Sequence, residues 1–565
     1  MLRWWRLCLN VVCFNVATKA AFVTQPNYHL PPISLTYSDK SLEPADGYIF
    51  LSPRVTDPRG LFIYDKYLSL VYYNDTANAI DATYFRPFML GNELVLVHHQ
   101  GDVSRGFSNG TAHIMSQDYT LKTVVSTSHM LDAHEFQLSP NGYATTTSYV
   151  DIPNYNIGAA GNANTNSGWL TDSCIQEVNV RNDSDIRFRF CPHEHIPLDA
   201  SYYNAPATPA TEAQSWDWFH ANSANRDALG NFLFSGRHTH TLYYVDGKSH
   251  EILWALGGKS SSFSGDGNFF SWQHYVRFSN ETGASAEELQ KRMDGGKRWI
   301  TVYDNASSGF EKNSDHSRGL VIELDFPSMT ATIVKVYENP GGVTGLLSDT
   351  QGSIQLMQDE PDSWSDHVMM GLGQIPVWAE FTNDGKTVQL VWFGDRATVQ
   401  GYQVVKLKWS GYPLTKPDVA VKDKKLYVSW NGATEVDHWV IESTTQDSMV
   451  KSKPKTDTIQ KQDFEMSMDL DPKFSRFRAV AMSKNGCTLG KSDYVDMNGN
   501  NQGGGVAGKN YAKEDTSSIC PKGQTLSDDG NSNSSDPFLF NGSRPLTAHP
   551  FLGMLLLVVM LTVMI

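Results

Sequence analysis

Short segments that alternate apolar and polar residues recur between Gly47 and Trp409, and Gly, Asp and Asn residues separate them. The side chains of a β-strand point to opposite faces with a period of two, so this pattern predicts strands. The segments TLYYVDGKSHEILWALGG and FTNDGKTVQLVWFG predict β-hairpins, because an Asp-Gly turn separates two apolar runs in each. A short helical period occurs at residues 284–293. The clearest predicted strands are residues 48–51, 61–64, 94–98, 143–150, 241–245, 299–303, 320–324, 332–336 and 390–393.

About 360 residues of short strands are too many for one two-sheet sandwich. A β-propeller arranges such strands as small sheets, called blades, around an axis and leaves only short sheet edges exposed. At about 45–60 residues a blade, this region would hold roughly six to eight blades. The sequence therefore predicts an all-β propeller, and two or three stacked sandwiches are the alternative.

A second all-β unit is predicted over residues 413–497. The segments KLYVSWNGATEVDHWVIES and FRAVAMSKNGCTLGKSDYVDM alternate with a period of two and contain Trp430, Trp439 and Phe477. These features resemble a fibronectin type III-like β-sandwich. Residues 498–540 are rich in Gly, Asn, Ser and Asp, which predicts a flexible stalk without a core.

The charge of the chain excludes one large class of function. Of its 565 residues, 61 are Asp or Glu and 46 are Lys or Arg, which gives a formal net charge of −15. A nucleic-acid-binding protein normally presents a basic face to the phosphates, so no nucleic-acid partner is expected. Since the surface as a whole repels anions, an anionic ligand would need a local positive site.

Both ends of the sequence indicate the secretory pathway. Two Arg residues, a largely apolar run over 7–17 and small residues near Ala20 predict a signal peptide over residues 1–20, with a buried helix as the alternative. Residues 551–565 are apolar and follow the small residues of Asn541-Gly542-Ser543 and a polar spacer. This pattern is typical of a GPI-anchor signal over residues 541–565, with attachment at Asn541. A short membrane anchor is the alternative, so the protein is expected at the cell surface or secreted.

An oxidising compartment permits disulfides. Two of the six Cys lie in the predicted signal peptide, and sequence proximity among the other four predicts the bridges Cys174–Cys191 and Cys487–Cys520. Asn-X-Ser/Thr sequons also recur and indicate a glycoprotein. Besides Asn541, the candidate glycosylation sites are Asn74, Asn109, Asn182, Asn280, Asn305 and Asn533.

Candidate chemistry concentrates in the histidines of the first region. The chain has 17 His, and four strings place His within or beside predicted strands: DAHEF (132–136), WDWFHANS (216–223), SGRHTHT (235–241) and FSWQHYVRF (270–278). The innermost strands of a propeller converge on its axis, so side chains distant in sequence can meet there. A single histidine on an aromatic strand is more often a packed core residue, and only the set indicates a site.

These strings, in this order, resemble the arylsulfate sulfotransferase family, in its fungal branch. The strings DGYIFLSP, LGGKSSSF, VYDNAS and SRGLVIELD resemble the same family, and the resemblance spans residues 40–410. It implies a six-bladed β-propeller with the active site in the central channel. It also implies transfer of a sulfuryl group between phenols, with no nucleotide donor and no other cofactor. The sandwich, the stalk and the anchor signal lie outside the shared region.

The resemblance carries the family's site residues onto these strings. His274 in WQH matches the nucleophile, whose neutral imidazole holds the sulfuryl group as a sulfohistidine. His220 and Asn222 in FHANS match a His-x-Asn pair, and a period of two predicts that both face one side of a strand. Arg237 in GRH matches the arginine that pairs with sulfate oxygens through its planar guanidinium. His134 in DAHEF matches a further histidine that protonates or stabilises the leaving phenolate.

Two further features bear on the site. The resemblance implies a Ser or Thr donor from a late blade, and Ser348, Thr350 and Ser353 all qualify. His193 and His195 in CPHEH would share one strand face, as metal ligands do. No matching Asp or Cys cluster accompanies them in the sequence, so no metal is predicted.

The leading hypothesis is an arylsulfotransferase-like enzyme that acts on small phenolic compounds. Another enzyme on the same propeller, acting on a phenolic or polyketide metabolite, and a non-catalytic cell-surface binding protein are the alternatives. Convergence of His134, His220, Arg237 and His274 on one pocket would favour the enzymes. Because Arg237 disfavours a second cation nearby, we expect the pKa of His274 at or below its usual value, with activity rising with pH through about 6.5.

Overall fold

The structure is a computed structural model that describes residues 22–500, except 55–58, 76–81, 159–166, 208, 280, 282–283, 358–366 and 446–452. The described residues form 36 strands, one α-helix and five short 3-10 helices, so the prediction of an all-β chain is confirmed. Several predicted features lie outside them: the signal peptide, the anchor signal, the stalk beyond residue 500, Asn280, Cys520, Asn533 and Asn541.

The strands follow one another closely along the chain. Those before residue 200 are β1 (Ser34–Ser38), β2 (Tyr48–Leu51), β3 (Pro53–Arg54), β4 (Leu61–Tyr64), β5 (Leu70–Asn74), β6 (Ala82–Leu90), β7 (Glu93–Ser104), β8 (Phe107–Met115), β9 (Leu121–Val125), β10 (Phe136–Leu138), β11 (Tyr143–Tyr155), β12 (Gly168–Asn179) and β13 (Asn182–Phe190). The next are β14 (Trp216–Asp217), β15 (Ala221–Arg226), β16 (Phe232–Gly236), β17 (Thr241–Val245), β18 (Ile252–Gly257), β19 (His274–Ser279), β20 (Lys297–Asp304), β21 (Arg318–Asp325), β22 (Thr330–Tyr337), β23 (Ser353–Met357), β24 (His367–Gly371), β25 (Val377–Thr382), β26 (Thr387–Trp392), β27 (Gln400–Gly401) and β28 (Val405–Leu407). The last are β29 (Asp418–Lys422), β30 (Lys425–Ser429), β31 (His438–Thr444), β32 (Lys455–Gln460), β33 (Met466–Asp469), β34 (Arg476–Met482), β35 (Thr488–Lys491) and β36 (Val495–Asp496).

Most strands of the first region belong to six sheets of four or five strands. Four sheets use consecutive strands, namely β6–β9, β10–β13, β15–β18 and β19–β22, and β14 adds in parallel to β12. In the fifth sheet, β1 pairs with β26 beside β23–β25. In the sixth, β28 pairs with β2 beside β4 and β5. Strands from the start and the end of this region therefore share sheets. The early strand β1 joins the sheet of β23–β26, and the late strand β28 joins the sheet of β2, β4 and β5.

The six sheets contact one another in a closed circuit. Around it, β6 contacts β10, β11 contacts β15, β15 contacts β19, β19 contacts β23, β23 contacts β28, and β28 contacts β6. One edge strand of each sheet takes part in this circuit, namely β6, β10, β15, β19, β23 and β28. Because the circuit closes, residues at the ends of these edge strands approach one another around a common centre.

Apolar layers between neighbouring sheets stabilise this arrangement. Between the sheets β15–β18 and β19–β22, one cluster contains the fully buried side chains of Leu242, Leu256, Val276, Val302 and Leu320. Burial of each such side chain contributes about 1.5–3 kcal/mol. The predicted alternation of apolar and polar positions places these residues on the faces that meet.

Strands β29–β36 form two further sheets. One contains β29, β30 and β33, and the other contains β31, β32, β34 and β35, with β36 paired to β34. Leu426, Trp439 and Phe477 pack in one buried cluster between them. The Asn431 side chain exchanges two hydrogen bonds with the backbone of Tyr73, at 2.9 and 2.8 Å, and so attaches this unit to the first region.

The helix α1 (Ala286–Gly295) begins two residues later than the predicted segment 284–293. Its start is set by a capping box, in which the Ser285 hydroxyl accepts from the Glu288 amide and the Glu288 carboxylate accepts from the Ser285 amide. Among the described residues, no helix is long and apolar enough to cross a membrane.

The predicted disulfide Cys174–Cys191 is confirmed. It links β12 to the residue that follows β13, at the start of the long connection to β14. This connection leads to Tyr203, which lines the cavity described below. The partner predicted for Cys487 lies outside the described residues, so the Cys487–Cys520 bridge stays a prediction.

The prediction that His193 and His195 share a strand face is wrong. Residues Pro192–Glu194 form a 3-10 helix, because Pro192 has no amide for a sheet ladder and is favoured in a first helical turn. The His193 ring instead bonds through Nδ1 to a carboxylate oxygen of Asp172, at 2.6 Å.

Candidate active site

A cavity of about 560 Å³ brings together four of the predicted site residues, His134, His220, Arg237 and His274. Each lies at the end of a strand or within two residues of one. His134 precedes β10 by two residues, His220 directly precedes β15, Arg237 directly follows β16, and His274 is the first residue of β19. The structure therefore joins side chains that are distant in sequence.

Asn222 does not line this cavity. Its Nδ2 donates to the Gln273 carbonyl at 2.7 Å, and its Oδ1 is buried with no hydrogen-bond partner among the described residues. The prediction that His220 and Asn222 share a strand face is wrong, because His220 lies before β15 with a φ of 56° and the register shifts between Ala221 and Ser223. A period of two holds only for an extended chain.

The hydrogen bonds of His274 define its tautomer. The Nδ2 of Asn305 donates to the carbonyl oxygens of Ser348 and Gln351, both at 2.9 Å, so its Oδ1 is the atom that faces His274. That Oδ1 accepts a hydrogen bond from Nδ1 of His274 at 2.7 Å. Nδ1 therefore carries the proton, and Nε2 keeps a lone pair, which accepts from the Gln351 amide at 3.1 Å.

Electrostatics keep His274 neutral. The residue is only 3% exposed, and burial lowers its pKa well below the usual value. The Arg237 cation lowers the pKa further, while the hydrogen bond with Asn305 opposes both effects. The predicted direction is confirmed, but burial is a larger cause than Arg237. At neutral pH, Nε2 is an unprotonated nucleophile.

Arg237 is a buried cation without a carboxylate partner among the described residues. Its Nη1 donates to Nε2 of His238 at 2.8 Å, and its Nη2 donates to the carbonyl oxygen of Asp349 at 2.9 Å. Its Nε is buried with no hydrogen-bond partner in the described part of the chain. Burial lowers the pKa of Arg237 to about 10, so the side chain stays charged at neutral pH. Such a group favours an anion beside it.

His238 holds Arg237 in place. Its Nδ1 donates to the carbonyl oxygen of Asp217 at 2.6 Å, which leaves Nε2 as the acceptor for Arg237. Burial lowers the pKa of His238 well below the usual value, which keeps that acceptor unprotonated. On its other side, the Arg237 guanidinium lies 5.1 Å from the centre of the Trp272 ring.

His134 is paired with a buried carboxylate. Its Nδ1 lies 2.6 Å from Oδ2 of Asp132, which also accepts from the hydroxyl of Thr147 at 2.8 Å. Burial alone would raise the pKa of Asp132, but the His134 charge and several hydrogen bonds lower it to about 2. Asp132 is therefore ionised, and its Oδ2 accepts the hydrogen bond of the His134 Nδ1–H.

His220 has a similar partner in Asp217. Its Nδ1 lies 2.5 Å from Oδ2 of Asp217. Burial raises the pKa of Asp217 to about 6, although His238, His134 and Arg237 oppose this rise. Burial also lowers the pKa of His220 well below the usual value. Near neutral pH, a neutral His220 therefore donates from Nδ1 to an ionised Asp217.

Of the three Ser or Thr candidates, Thr350 lines the cavity. The Ser348 hydroxyl donates to the carbonyl oxygen of Thr350 at 2.8 Å, and the Ser353 hydroxyl donates to that of Val404 at 3.1 Å. Both serines are fully buried. The structure therefore separates alternatives that the sequence leaves open.

The rest of the cavity wall contains cationic and aromatic side chains, although the protein as a whole is acidic. Arg54 and Arg105 line the cavity, together with Phe107, Tyr203 and Phe310. Phe310 is 72% exposed, and its ring centre lies 5.8 Å from that of Tyr203. The wall thus offers apolar surface to an aryl group and positive charge to an anion.

The partners Asp132, Asp217, Asn305 and Gln351 are absent from the predicted site. Asp132 and Asp217 lie within the strings DAHEF and WDWFHANS, so their spacing from the histidines could have indicated them.

The predicted glycosylation of Asn305 is wrong, because its side chain is fully buried and both its polar atoms are hydrogen-bonded. Asn109 and Asn182 are exposed.

One group of side chains in the cavity could hold a metal ion. Ligand atoms of Asp217, His220 and His238 lie within 4.8 Å of one another. However, both ring nitrogens of His238 are hydrogen-bonded, and the Arg237 cation is 2.8 Å from one of them. A metal cation there would be repelled by the guanidinium, so the arrangement suits an anion better.

Comparison with known proteins identifies a family. Residues 86–394, just over half of the chain, match the family model described as Arylsulfotransferase (ASST). No match was found among curated proteins.

Several solved structures share a distant likeness. A protein of unknown function from Bacteroides caccae aligns with a TM-score of 0.35 and 10% identity, over 64% of this chain and 98% of that chain. A protein from Lactobacillus plantarum aligns with a TM-score of 0.32 and 9% identity, over 75% of this chain and 100% of that chain. Apo AztD from Citrobacter koseri aligns with a TM-score of 0.29 and 7% identity, over 65% and 99%. Likeness at this level bears on neither activity nor ligands.

Proposed function

Because the chain belongs to the arylsulfotransferase (ASST) family, we propose that it transfers a sulfuryl group from an aryl sulfate to a second phenol. One observation carries the proposal: His274 and Arg237 line the same cavity. His274 is a neutral imidazole of defined tautomer, and Arg237 is a cation with no carboxylate partner among the described residues. Together they supply a nucleophile and a partner for sulfate oxygens.

The proposed fold of the first region is the six-bladed β-propeller that the resemblance implies. Six sheets in a closed circuit of contacts support it. The pairing of β28 with β2 supports it further, because joining the two ends of the region in one sheet leaves fewer open edges. On this proposal, the cavity opens at one end of the central channel. The fungal branch and the fibronectin type III-like identity of β29–β36 stay predictions.

In the proposed first step, His274 attacks the donor. The Nε2 lone pair forms a bond to sulfur while the bond between sulfur and the aryl oxygen breaks. The aryl oxygen leaves with the bonding electrons and takes the Nε2 proton of a protonated His134, whose cation Asp132 stabilises. The products are a phenol, a neutral His134 and an N-sulfonated His274. The Nδ1 proton of His274 stays on its hydrogen bond to Asn305.

The second step reverses the first with a new phenol. The acceptor hydroxyl gives its proton to Nε2 of His134, and its oxygen attacks sulfur. The bond between Nε2 of His274 and sulfur breaks, and its electrons return to the ring as the lone pair. The products are the sulfated acceptor and the starting forms of both histidines, so the protons and electrons balance over the cycle.

The remaining groups are assigned by charge and shape. Arg237 stabilises the sulfuryl oxygens as they approach the transition state. Phe107, Tyr203 and Phe310 on the wall provide apolar contacts for the aryl rings of small phenolic substrates. The proposed donor is an aryl sulfate, so the reaction needs neither a nucleotide donor nor another cofactor.

A transfer assay without nucleotide tests this proposal. Purified protein, an aryl sulfate and an unsulfated phenol should give the free phenol of the donor and the sulfated acceptor. His274→Ala should abolish transfer, and Arg237→Lys should slow it about 10- to 100-fold, because a point charge replaces a planar fork. His438→Ala is the matched control, since His438 lies in the second unit beside Asp437. If no aryl sulfate supports transfer, the proposal is wrong, and another enzyme activity or ligand binding replaces it.

The proposed location is the cell surface, with a GPI anchor attached at Asn541. It rests on the sequence patterns at the two ends of the chain, and the exposure of Asn109 and Asn182 leaves these sequons accessible to glycans. Phosphoinositide-specific phospholipase C should release the protein from cells. Detection of Ile565 on membrane-bound protein would contradict the anchor.

A further inference from the structure

Residues 349–351 lie between β22 and β23 and contact both groups that the proposed transfer uses. The carbonyl oxygen of Asp349 accepts a hydrogen bond from Nη2 of Arg237 at 2.9 Å. The backbone amide of Gln351 donates to Nε2 of His274 at 3.1 Å. This short segment therefore occupies one donor of the cation and the lone pair of the nucleophile at the same time.

The contact on His274 and the formation of a bond to sulfur exclude each other. Since Nδ1 is protonated, Nε2 has the only in-plane lone pair of the ring, and this lone pair accepts the Gln351 hydrogen. A sulfur atom bonded along that lone pair would lie well inside the van der Waals contact distance of the Gln351 nitrogen, which is only 3.1 Å from Nε2. The Gln351 amide therefore has to move before the reaction.

The segment combines an unusual backbone conformation with hydrogen bonds from neighbouring side chains. Nδ2 of Asn305 donates to the Gln351 carbonyl at 2.9 Å, and the Ser348 hydroxyl donates to the Thr350 carbonyl at 2.8 Å. Gln351 has a φ of 65°, in the left-handed region that residues with a Cβ rarely adopt. Its Nε2 donates to Oε1 of Gln400 at 2.8 Å. The hydroxyl of Ser307 donates to Oδ1 of Asp349 at 2.6 Å. Loss of such contacts releases a strained backbone towards a more ordinary conformation.

We propose that residues 349–351 are a cap that holds the site in a resting state and that the sulfate group of the donor displaces. The inference rests on the proposed function. A charged sulfate oxygen forms a stronger hydrogen bond to Arg237 than the neutral Asp349 carbonyl does, so the donor can take over Nη2. Movement of Asp349 then draws the Gln351 amide from Nε2. The nucleophile becomes available only when an anion occupies the site.

The cap should weaken binding of the donor by a measurable factor. If only a fraction of the molecules is open, the apparent dissociation constant of the donor rises by the inverse of that fraction. Variants that loosen the cap without touching the cavity should therefore bind the donor more tightly. Ser307→Ala and Gln400→Leu each remove one contact to a side chain of the segment, and neither residue is among those that line the cavity. The hydrogen bonds that Asn305 and Ser348 donate to the backbone of the segment stay in place.

The reactivity of His274 towards diethyl pyrocarbonate, mapped by mass spectrometry on the full chain, tests the cap without substrate. This reagent acylates an imidazole nitrogen that has a free lone pair. In each variant, we expect His274 to react about three- to tenfold faster than in the wild type, the range for loss of one hydrogen bond. His438 in the second unit is the internal reference, and Ser492→Ala, which removes a buried hydroxyl of that unit, is the matched control.

The same variants should lower the KM for an aryl sulfate by a similar factor, with kcat unchanged or higher. Equal His274 rates in the wild type and in both variants, at an unchanged His438 rate, would overturn the cap. This result is distinguishable from failure of the proposed function. Faster modification in a protein that transfers no sulfate supports the cap and contradicts the transferase, whereas transfer at equal modification rates does the reverse.

Discussion

At the scale of single residues, the proposed chemistry depends on which nitrogen of His274 carries the proton. Asn305 decides this, because its Nδ2 is bound to two carbonyl oxygens and only its Oδ1 can face the ring. Asn305 is thus a positioning residue, and it acts through His274 rather than on the substrate. Its contribution should appear in the rate of transfer.

Asn305→Ala should lower kcat by roughly 10- to 100-fold, because the ring can then rotate or adopt the wrong tautomer, which is costly in other histidine-dependent sites. The KM for the donor should not rise, because Arg237 is untouched and the lost hydrogen bond to the Gln351 carbonyl loosens the cap. Steady-state kinetics would measure both constants. Asn231→Ala, which removes an amide that bonds to Tyr244, is the matched control. A kcat within twofold of the wild type would contradict the positioning role.

The pH dependence of transfer should report Asp217. The pKa of His274 lies well below its usual value, so its titration does not produce the rise near pH 6.5 that the sequence predicts. Burial raises the pKa of Asp217 to about 6, and protonation of this carboxylate below that pH removes the acceptor for His220. We expect kcat/KM to fall as the pH drops through about 6.

Asp217→Asn should remove this fall in kcat/KM near pH 6, because an amide does not titrate. A pH profile of kcat/KM for the wild type and the variant would measure the effect, with His438→Ala as the control. If kcat/KM of Asp217→Asn still falls near pH 6, another group is responsible for the titration.

The site residues that could be predicted are those that lie in recognisable sequence strings. His134, His220, Arg237 and His274 belong to recognisable strings, and all four line the cavity. Their partners depend on the fold, because Asn305 and Gln351 are 31 and 77 residues from His274. Sequence pattern alone assigns Asn305 to a sequon, since burial and long-range hydrogen bonds are not visible in it.

At the scale of elements, period-two alternation predicts the strands well. The segments predicted at 48–51, 61–64 and 241–245 have the same bounds as β2, β4 and β17. The prediction is wrong where local backbone chemistry overrides the alternation. Pro192 begins a 3-10 helix, and His220 adopts a left-handed conformation before β15. Strand ends are decided by turns and caps, and alternation carries little information about them.

The disulfide should stabilise the element that leads to the cavity. Cys174 and Cys191 are 17 residues apart, and closure of a loop of this length contributes about 3 kcal/mol in the chain-entropy model. Replacing both by Ala should lower the free energy of unfolding by about this amount, measured by urea denaturation. Transfer should also weaken, because the following connection carries Tyr203 on the cavity wall. An unchanged unfolding curve would contradict this role.

At the scale of the whole molecule, closure of the six sheets is the feature that local sequence predicts least. The sheets differ too much in sequence to be counted from it, and the pairing of β28 with β2 joins strands more than 350 residues apart. Alternation identifies which faces of the strands are apolar. It does not identify which strands become neighbours, because pairing is set by packing over the whole region.

Buried histidines should make the whole fold sensitive to acid. Burial lowers the pKa of His98 to about 3, of His99 to about 4 and of His240 to about 3. In the unfolded chain, these rings bind protons from about pH 6.5 downwards. Their contribution to stability is therefore complete above pH 6.5 and decreases as the pH falls from there towards 3.

We expect the free energy of unfolding to fall between pH 7.5 and pH 5 by about 1–2 kcal/mol for each such residue. Urea denaturation at both pH values would measure it. His98→Leu should reduce this pH dependence by about 1–2 kcal/mol, the contribution of one buried histidine. Equal pH dependence in the wild type and His98→Leu would show that His98 is not responsible.

The most direct test of the central claim is a search for the covalent intermediate. The protein is incubated with a ³⁵S-labelled aryl sulfate in the absence of acceptor, digested at alkaline pH, and its peptides are mapped. The account predicts one labelled residue, His274, with the label lost on addition of a phenol and absent in His274→Ala. Transfer to a phenol without a labelled protein, or a label on another residue, would contradict His274 as the nucleophile.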